Sequence, residues 1–259
     1  MNKTRIISVV NQKGGVGKTT TAVNLSTALA AIDKNVLLID LDPQGNLSTG
    51  LGIKRENRII NVYDLVMDAN ISIDKASIKT KIPHLDIVPS GINLSGIEFE
   101  LSDDNNRNKK LYNKINMIKG KYDFIIIDCP PSLGILTINS LVASDLILVP
   151  LQCEFYALEG LAQLLKTVEA VKNNLNPNLE LEGIVLTMFD SRNRLSEDVI
   201  NDARKHLGNK VFNTIIPRNV RLSEAPSHGL PAILYDRKCL GSKAYIELAK
   251  EFISRVEVV

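Results

Sequence analysis

Seven short runs of Val, Ile and Leu, separated by longer stretches of helical periodicity, constrain this 259-residue chain more than any other feature. The runs are RIISVV (5–10), NVLLID (35–40), HLDIVP (84–89), YDFIIID (122–128), DLILVP (145–150), LEGIVLTM (181–188) and VFNTIIP (211–217). They are continuous instead of alternating, which is the pattern of strands covered on both faces. Between them, 19–32 sets Val23, Leu25, Ala28, Leu29 and Ile32 along one helix side. Likewise 156–175 aligns Leu158, Leu161, Leu165, Val168, Val171 and Leu175. This succession predicts an α/β chain: a mainly parallel, twisted sheet of about seven or eight strands with helices on both faces. No repeat or low-complexity tract divides it, so one domain spanning 1–259 is expected. The polar run SDDNNRNKK (102–110) reads as an exposed loop or a frayed helix edge.

A hydrophobic content of 44% at this length suffices for a full core. The net charge of +2 gives no bulk pull towards nucleic acid, so such a reading must rest on where charges sit. Cys129, Cys153 and Cys239 are odd in number, widely spaced and free of CxxC pairing, which favours a reducing interior. The first apolar run is too short for a signal-peptide core. Nowhere do about 18 apolar residues run together, as a membrane span requires. A soluble, cytoplasmic chain is expected.

GGVGKTT (14–20) lies between the first apolar run and the first helical pattern, the setting that makes a phosphate loop credible. Gly14, Gly15, Val16 and Gly17 let backbone N–H groups turn inward around phosphates, and the helix N-terminus adds partial positive charge. Lys18 is placed to reach the β- and γ-phosphates, Thr19 to ligate Mg²⁺, and Thr20 to contact the α-phosphate. ATP and Mg²⁺ are the expected cofactors. Against the standard G-x-x-x-x-G-K-[ST] pattern, Gln12 stands where the first glycine belongs, and a second lysine, Lys13, follows it. A glycine-rich turn that only joins strand to helix is the plain alternative.

LLIDLDPQGN (37–46) ends an apolar run with Asp40 and Asp42. Residues i and i+2 of an extended segment share a side, so both are expected to look towards the loop. In FIIIDCPPSLG (124–134), Asp128 follows four apolar residues, the pattern of a strand whose carboxylate holds Mg²⁺ through water. Pro130 and Pro131 stiffen the turn beyond it. An aspartate ending a strand is common; beside a phosphate loop it marks a site. Cys129 reads as packing.

KGGVGKTT (13–20) resembles the deviant Walker A motif of the ParA/MinD class of P-loop ATPases, with Lys13 at the position of their signature lysine. DLDPQGN (40–46), TMFDSRNRLS (187–196) and IPRNVRLSEAPSHG (216–229) resemble segments of the ParA type, of the short chromosomal form often called Soj. The likeness runs from Arg5 to about Phe252. It implies an ATP-bound sandwich homodimer in which Lys13 reaches the phosphates of the other copy and acts like an arginine finger. It also implies that Asp42 lies in a first switch, positions the attacking water and touches the metal through water. Segment 128–134 becomes the second switch. Pro217 and Asn219 become contacts to the adenine, and Arg192 and Arg221 match DNA-contacting positions. The implied function is partition of a chromosome or plasmid. The dimer binds double-stranded DNA without sequence preference, hydrolyses ATP slowly on its own, and is released when a ParB-type partner stimulates hydrolysis. Such a protein is nucleoid-associated.

From 183 to 259 there are twelve Lys/Arg against nine Asp/Glu, a slight bias that a dimer would double. No aromatic interleaving or helix-turn-helix pattern predicts sequence-specific reading. The nearest alternative is a MinD-like ATPase cycling on a membrane, which needs a basic amphipathic tail. The tail KAYIELAKEFISRVEVV (243–259) instead sets Tyr245, Leu248, Phe252 and Val256 on one face and carries Glu247, Glu251 and Glu257, so it reads as a core-docking helix. An electron-transferring relative of the nitrogenase iron protein would need cysteine motifs that Cys129 and Cys153 do not supply. A ligase such as dethiobiotin synthetase would not be expected to carry the 40–46 segment.

Overall fold

The computed structural model describes residues 4–154 and 156–257. Seven strands form one sheet: β1 (Arg5–Val9), β2 (Val36–Asp40), β3 (Ile78–Lys79), β4 (Leu85–Val88), β5 (Phe124–Asp128), β6 (Leu146–Gln152) and β7 (Glu180–Thr187). Their order is β3-β4-β2-β5-β1-β6-β7, and every pairing is parallel except β3 with β4. Alternate side chains serve two apolar layers. Ile6, Leu37, Ile39, Ile125 and Ile127 enter one; Ile7, Val9, Leu38, Phe124 and Ile126 enter the other. Both faces are covered, which is why the runs carry no polar alternation.

The first layer is closed by helices that include Ile135–Ala143, Ala157–Asn174 and Arg194–Leu207. The second is closed by α1 (Lys18–Ala30) and by the Leu240–Glu257 helix, whose Tyr245, Leu248, Phe252 and Val256 are all buried in it. The tail therefore docks as its spacing predicts. In the Ala157–Asn174 helix the buried stripe runs through Leu161, Leu164, Val168 and Val171, while Leu158, Leu165 and Leu175 sit half-buried beside it. Helix α1 stops two residues before Ile32, which is 51% exposed. The chain turns there through Asp33 at φ 62°, with its N–H bonded to Ala30 O at 3.0 Å.

Two elements depart from the sequence reading. The two-residue antiparallel strand β3 is too short to register as a run. Segment 211–217 makes only the isolated bridges Ile184–Val211 and Phe189–Pro217 and is no strand. Phe212 and Ile216 do donate to β7 carbonyls, at 2.9 and 2.8 Å. Between them, however, the N–H groups of Asn213 and Thr214 turn to the Glu251 carboxylate at 2.8 and 2.9 Å, and the Thr214 hydroxyl adds a third bond at 2.8 Å. A side chain of the C-terminal helix thus takes over a ladder position.

Burial disfavours the Glu251 charge, yet bonds from Asn213, Thr214 and Arg255 outweigh it and hold the carboxyl below its ordinary 4.5. With the native value the lower one, this contribution is present above the unfolded-state value and is lost as pH falls through the native one. Glu251→Gln is expected to cost about 1–3 kcal/mol at neutral pH, since the amide cannot accept the same set of bonds. Urea denaturation should show that deficit shrinking as the pH drops below the ordinary carboxylate range.

Candidate active site

β1, β2 and β5 end level with one another: Val9 and Asp40 are both register partners of Asp128. Three connections therefore leave from one sheet edge, beyond the carboxyl ends of the strands, where open parallel sheets bind ligands. The loop after β1 is held open by backbone that side chains resist, Gly15 at φ 74° and Gly17 at φ 90°. Long-range bonds pin it. Val16 O accepts from Thr187 Oγ1 at 2.8 Å, and Asn11 donates to Pro150 O at 2.8 Å while accepting from Lys13 N at 3.0 Å. Gln12 donates to Gly160 O at 3.1 Å and to Gln163 Oε1 at 3.0 Å. Glycine in its place could not tie the loop to the Ala157–Asn174 helix.

Lys18 is buried, and its Nζ donates to Lys13 O at 3.0 Å. Burial pushes its pKa down, opposed by the neighbouring Asp128 and Asp42. Thr19 Oγ1 donates to Asp128 Oδ2 at 2.7 Å. The other oxygen of Asp128, Oδ1, is buried without a hydrogen-bond partner, and so is Asp40 Oδ1. Burial and then the neighbouring Asp40 raise the Asp128 carboxyl well above its usual range. Burial likewise lifts Asp40 to about 6, although its Oδ2 accepts from Ser48 N and Oγ at 2.8 and 2.6 Å. Asp42, also buried, turns the chain: its Oδ1 accepts from Gln44 N at 3.0 Å and its carbonyl from Ser90 Oγ at 2.6 Å.

Two buried carboxylates, Asp128 and Asp42, thus act on one buried ammonium, with Asp40 buried beside them, an arrangement that favours an added cation. Among the described residues no group of three or more His, Cys, Asp or Glu is placed to hold a metal alone. A small hard cation such as Mg²⁺ fits these donors, because it takes one or two protein oxygens and completes its shell with water and phosphate. The Thr19 hydroxyl and the orphan Asp128 oxygen have that character. Lys13 is half-exposed and ion-pairs with Glu154 of its own chain.

A family model described as an AAA domain matches residues 4–181. The chain is 55% identical over 256 residues to the chromosome partitioning protein ParA of Caulobacter vibrioides, covering 98% of this chain and 96% of that one. It is 53% identical over 247 residues to the sporulation initiation inhibitor protein Soj of Bacillus subtilis, covering 95% and 97%. The chain belongs to the ParA/Soj family. Among solved structures, cobyrinic acid a,c-diamide synthase from Mycobacterium smegmatis with bound ADP and magnesium matches with a TM-score of 0.86 at 35% identity, covering 98% and 96%.

In this ParA/Soj chain the remaining candidate residues are held by partners outside the loop. A small pocket joins Thr19, Thr20 and Asn24 to Leu222, Ala225 and Pro226. Pro217 and Asn219 are not among its walls; Pro217 bridges to Phe189, and Asn219 caps a short helix by accepting from Arg221 N at 3.0 Å. Arg192 is 86% exposed and clasps Asp190 through two nitrogens, at 2.9 and 2.7 Å, and these bonds hold the Asp190 carboxyl far below its ordinary range. Arg221 pairs with Glu224 at 2.8 Å and with Asp236 at 3.5 Å. Asn11, Ser48, Ser90 and Glu154 lie outside the motifs, and Thr187 opens the 187–196 segment without marking its hold on the loop. Each reaches the site from a distant stretch or as a lone polar residue, so no local pattern marks that contact.

The thiols give a check on closure of this edge. Burial pushes Cys129 up to about 12 and Cys153 up to about 11, whereas Cys239 is half-exposed. Since the thiolate is the reactive form, iodoacetamide at neutral pH should alkylate Cys239 alone in the native protein. Peptide mass spectrometry that finds native Cys129 modified would mean that the segment after β5 opens.

Proposed function

We propose that this chain is a partition ATPase, working as a single domain over 1–259, that segregates chromosomal or plasmid DNA from a nucleoid-associated, cytoplasmic pool. The observation that carries the reading is the Thr19–Asp128 pair beside buried Lys18 at the carboxyl edge of the sheet. Support comes from 55% identity over nearly the full length to a protein named for chromosome partitioning. The solved relative with ADP and magnesium supports the same cofactor class.

ATP phosphates occupy the loop from Gly14 to Thr20. Lys18 exchanges the neutral Lys13 carbonyl for the β- and γ-phosphates, a stronger, charge-assisted partner. Thr19, Asp128 and Asp42 would hold Mg²⁺, which when bound would neutralise phosphate charge. Asp42 orients the attacking water. Lys13 leaves Glu154 and crosses a twofold axis to the γ-phosphate of a second copy, stabilising charge that grows in the transition state. Pro217 and Asn219 border the base. In the ATP-bound dimer, Arg192 and Arg221 trade their carboxylate partners for DNA phosphates, whose contacts add steeply when doubled and carry no sequence information. A ParB-type partner accelerates an otherwise slow hydrolysis, and the separated monomers leave DNA.

Membrane cycling is less well supported. The apolar side of the Leu240–Glu257 helix is packed into the core, and no described helix is long and apolar enough to cross a membrane. The Mycobacterium smegmatis relative is named for an amide-forming reaction, at 35% identity against 55% for the partition protein. ATP turnover with no acceptor carboxylate present separates those two.

The test is co-sedimentation with DNA in ADP, ATP and a non-hydrolysable analogue, with mass measured in parallel. DNA should be retained only in the triphosphate states, by a dimer; equal retention with ADP contradicts the reading. Arg221→Glu should keep ATP-driven dimerisation and lose DNA. Asp42→Ala should stay on DNA with turnover lowered roughly 100-fold or more, and normal turnover in that variant removes the assigned role.

A further inference from the structure

A cleft of about 380 Å³ opens beside the Asp42 turn, a size that suits a small ligand. Pro43 and Ser90 form part of its wall, the exposed Gln44 and Asn93 side chains supply polar groups, and Arg55 and Arg58 supply charge; no lining residue is acidic. Arg58 is held in place by donating from Nε and Nη2 to Ile53 O, at 3.1 and 2.8 Å, and from Nη2 to Thr49 Oγ1 at 2.8 Å. Its Nη1 packs so closely over Gly45 that a Cβ there would come within 2.5 Å. Among the described residues Nη1 meets no hydrogen-bond acceptor, and neither arginine forms an ion pair. Asp40, whose charge Arg58 feels, is fully buried behind the turn and already accepts from Ser48. A fixed guanidinium with a free edge, a second arginine and neutral donors around it make a seat for a tetrahedral oxyanion. Ile92, 76% exposed on the cleft wall, offers an apolar surface to an organic group.

We propose that this cleft binds a phosphate group, free or as the monoester of a small organic molecule, and that the bound anion acts on the Asp42 turn. The cleft wall and the turn share their anchors. Ser90 Oγ donates to Asp42 O at 2.6 Å, Ser90 N donates to Ser48 Oγ at 3.1 Å, and Gln44 N holds the Asp42 carboxylate at 3.0 Å. Arg58 braces Thr49, in the helix α2 (Asn46–Gly50) that follows the turn. An anion gripping Arg58 and the exposed Gln44 side chain therefore pulls on two supports of Asp42. The binding half stands on the cleft alone; the regulatory half rests on the role assigned to Asp42 above. Inorganic phosphate released by hydrolysis is one source of the ligand and a phosphorylated metabolite is the other.

Isothermal titration separates these possibilities, with the phosphate loop first filled by excess ADP and Mg²⁺ and with inorganic phosphate or glycerol 3-phosphate as the probe. Saturable binding is expected, tighter for phosphate if the free ion is the ligand and tighter for the ester if a metabolite is. Arg55→Glu and Asn93→Ala should each weaken it by about tenfold or more, the loss of one charge-assisted or polar contact, and leave ADP affinity unchanged. Lys18→Ala should lose ADP yet still bind the probe. No saturable binding of either probe overturns the site. So does binding that survives Arg55→Glu and vanishes in Lys18→Ala, which would place the anion in the phosphate loop. For the regulatory half, the bound probe should change ATP turnover in the wild type and not in Arg55→Glu; confirmed binding with unaltered turnover overturns it. A wild type that turns over no ATP under any condition counts against the function proposed above and leaves the titration result standing.

Discussion

Three carboxylates and one ammonium, all buried where β2 and β5 end, set the terms for the rest of the molecule. Asp40, Asp42 and Asp128 outnumber Lys18, and burial lifts Asp40 and Asp128 above their ordinary range. A fold has little reason to keep unmatched acids in its interior unless something bound repays the cost. A divalent cation carrying phosphates would do so: its water shell would answer the orphan Asp128 oxygen, and the phosphates would give Lys18 a charged partner. Ligand binding and folding stability are then one linked quantity, because whatever binds only the native state stabilises it.

The surrounding contacts hold the site ready without completing it. The glycine loop is pinned from Thr187, Pro150 and Gly160, so the proposed phosphate binding would need little reorganisation. The movable pieces are those with exchangeable partners. Lys18 rests on a neutral carbonyl, Lys13 on an exposed carboxylate, and Arg192 and Arg221 on surface acids. Exposed ion pairs of this kind are worth little, about 0–1 kcal/mol, so a nucleotide, a second copy or a nucleic acid can displace them cheaply. A ligand shifts such a system only by binding one state better than another. In the proposed cycle the triphosphate distinguishes the dimer, and DNA distinguishes the dimer from the monomer.

Much of this architecture is legible in the amino-acid order, and for a physical reason. Continuous apolar runs mark strands with two covered faces, and six of the seven runs are such strands. The seventh failed because Glu251, distant in sequence, captures the N–H groups of Asn213 and Thr214. Strand β3 has two residues and no pattern to read. At the site, Lys18 and Thr19 belong to one local motif, and Asp128 announces itself by following a buried strand. Their pairing across 109 positions follows from the parallel register. Glu154 and Thr187 lie 141 and 171 positions from the loop residues they hold, and Asn11 is an unremarkable polar side chain, so nothing local points to these contacts. Gln12 looked like a flaw in a motif until its two bonds to the neighbouring helix gave it a purpose.

The most direct measurement of the central claim is ATP affinity with and without Mg²⁺, in the wild type and in Asp128→Asn. If the buried acids exist to be answered by a metal-bound triphosphate, chelation should weaken wild-type binding by at least about tenfold, the worth of one charge-assisted contact. The variant, with that carboxylate neutralised, should respond much less. Wild-type affinity that is unchanged by chelation, or an equal Mg²⁺ response in both proteins, would contradict the account.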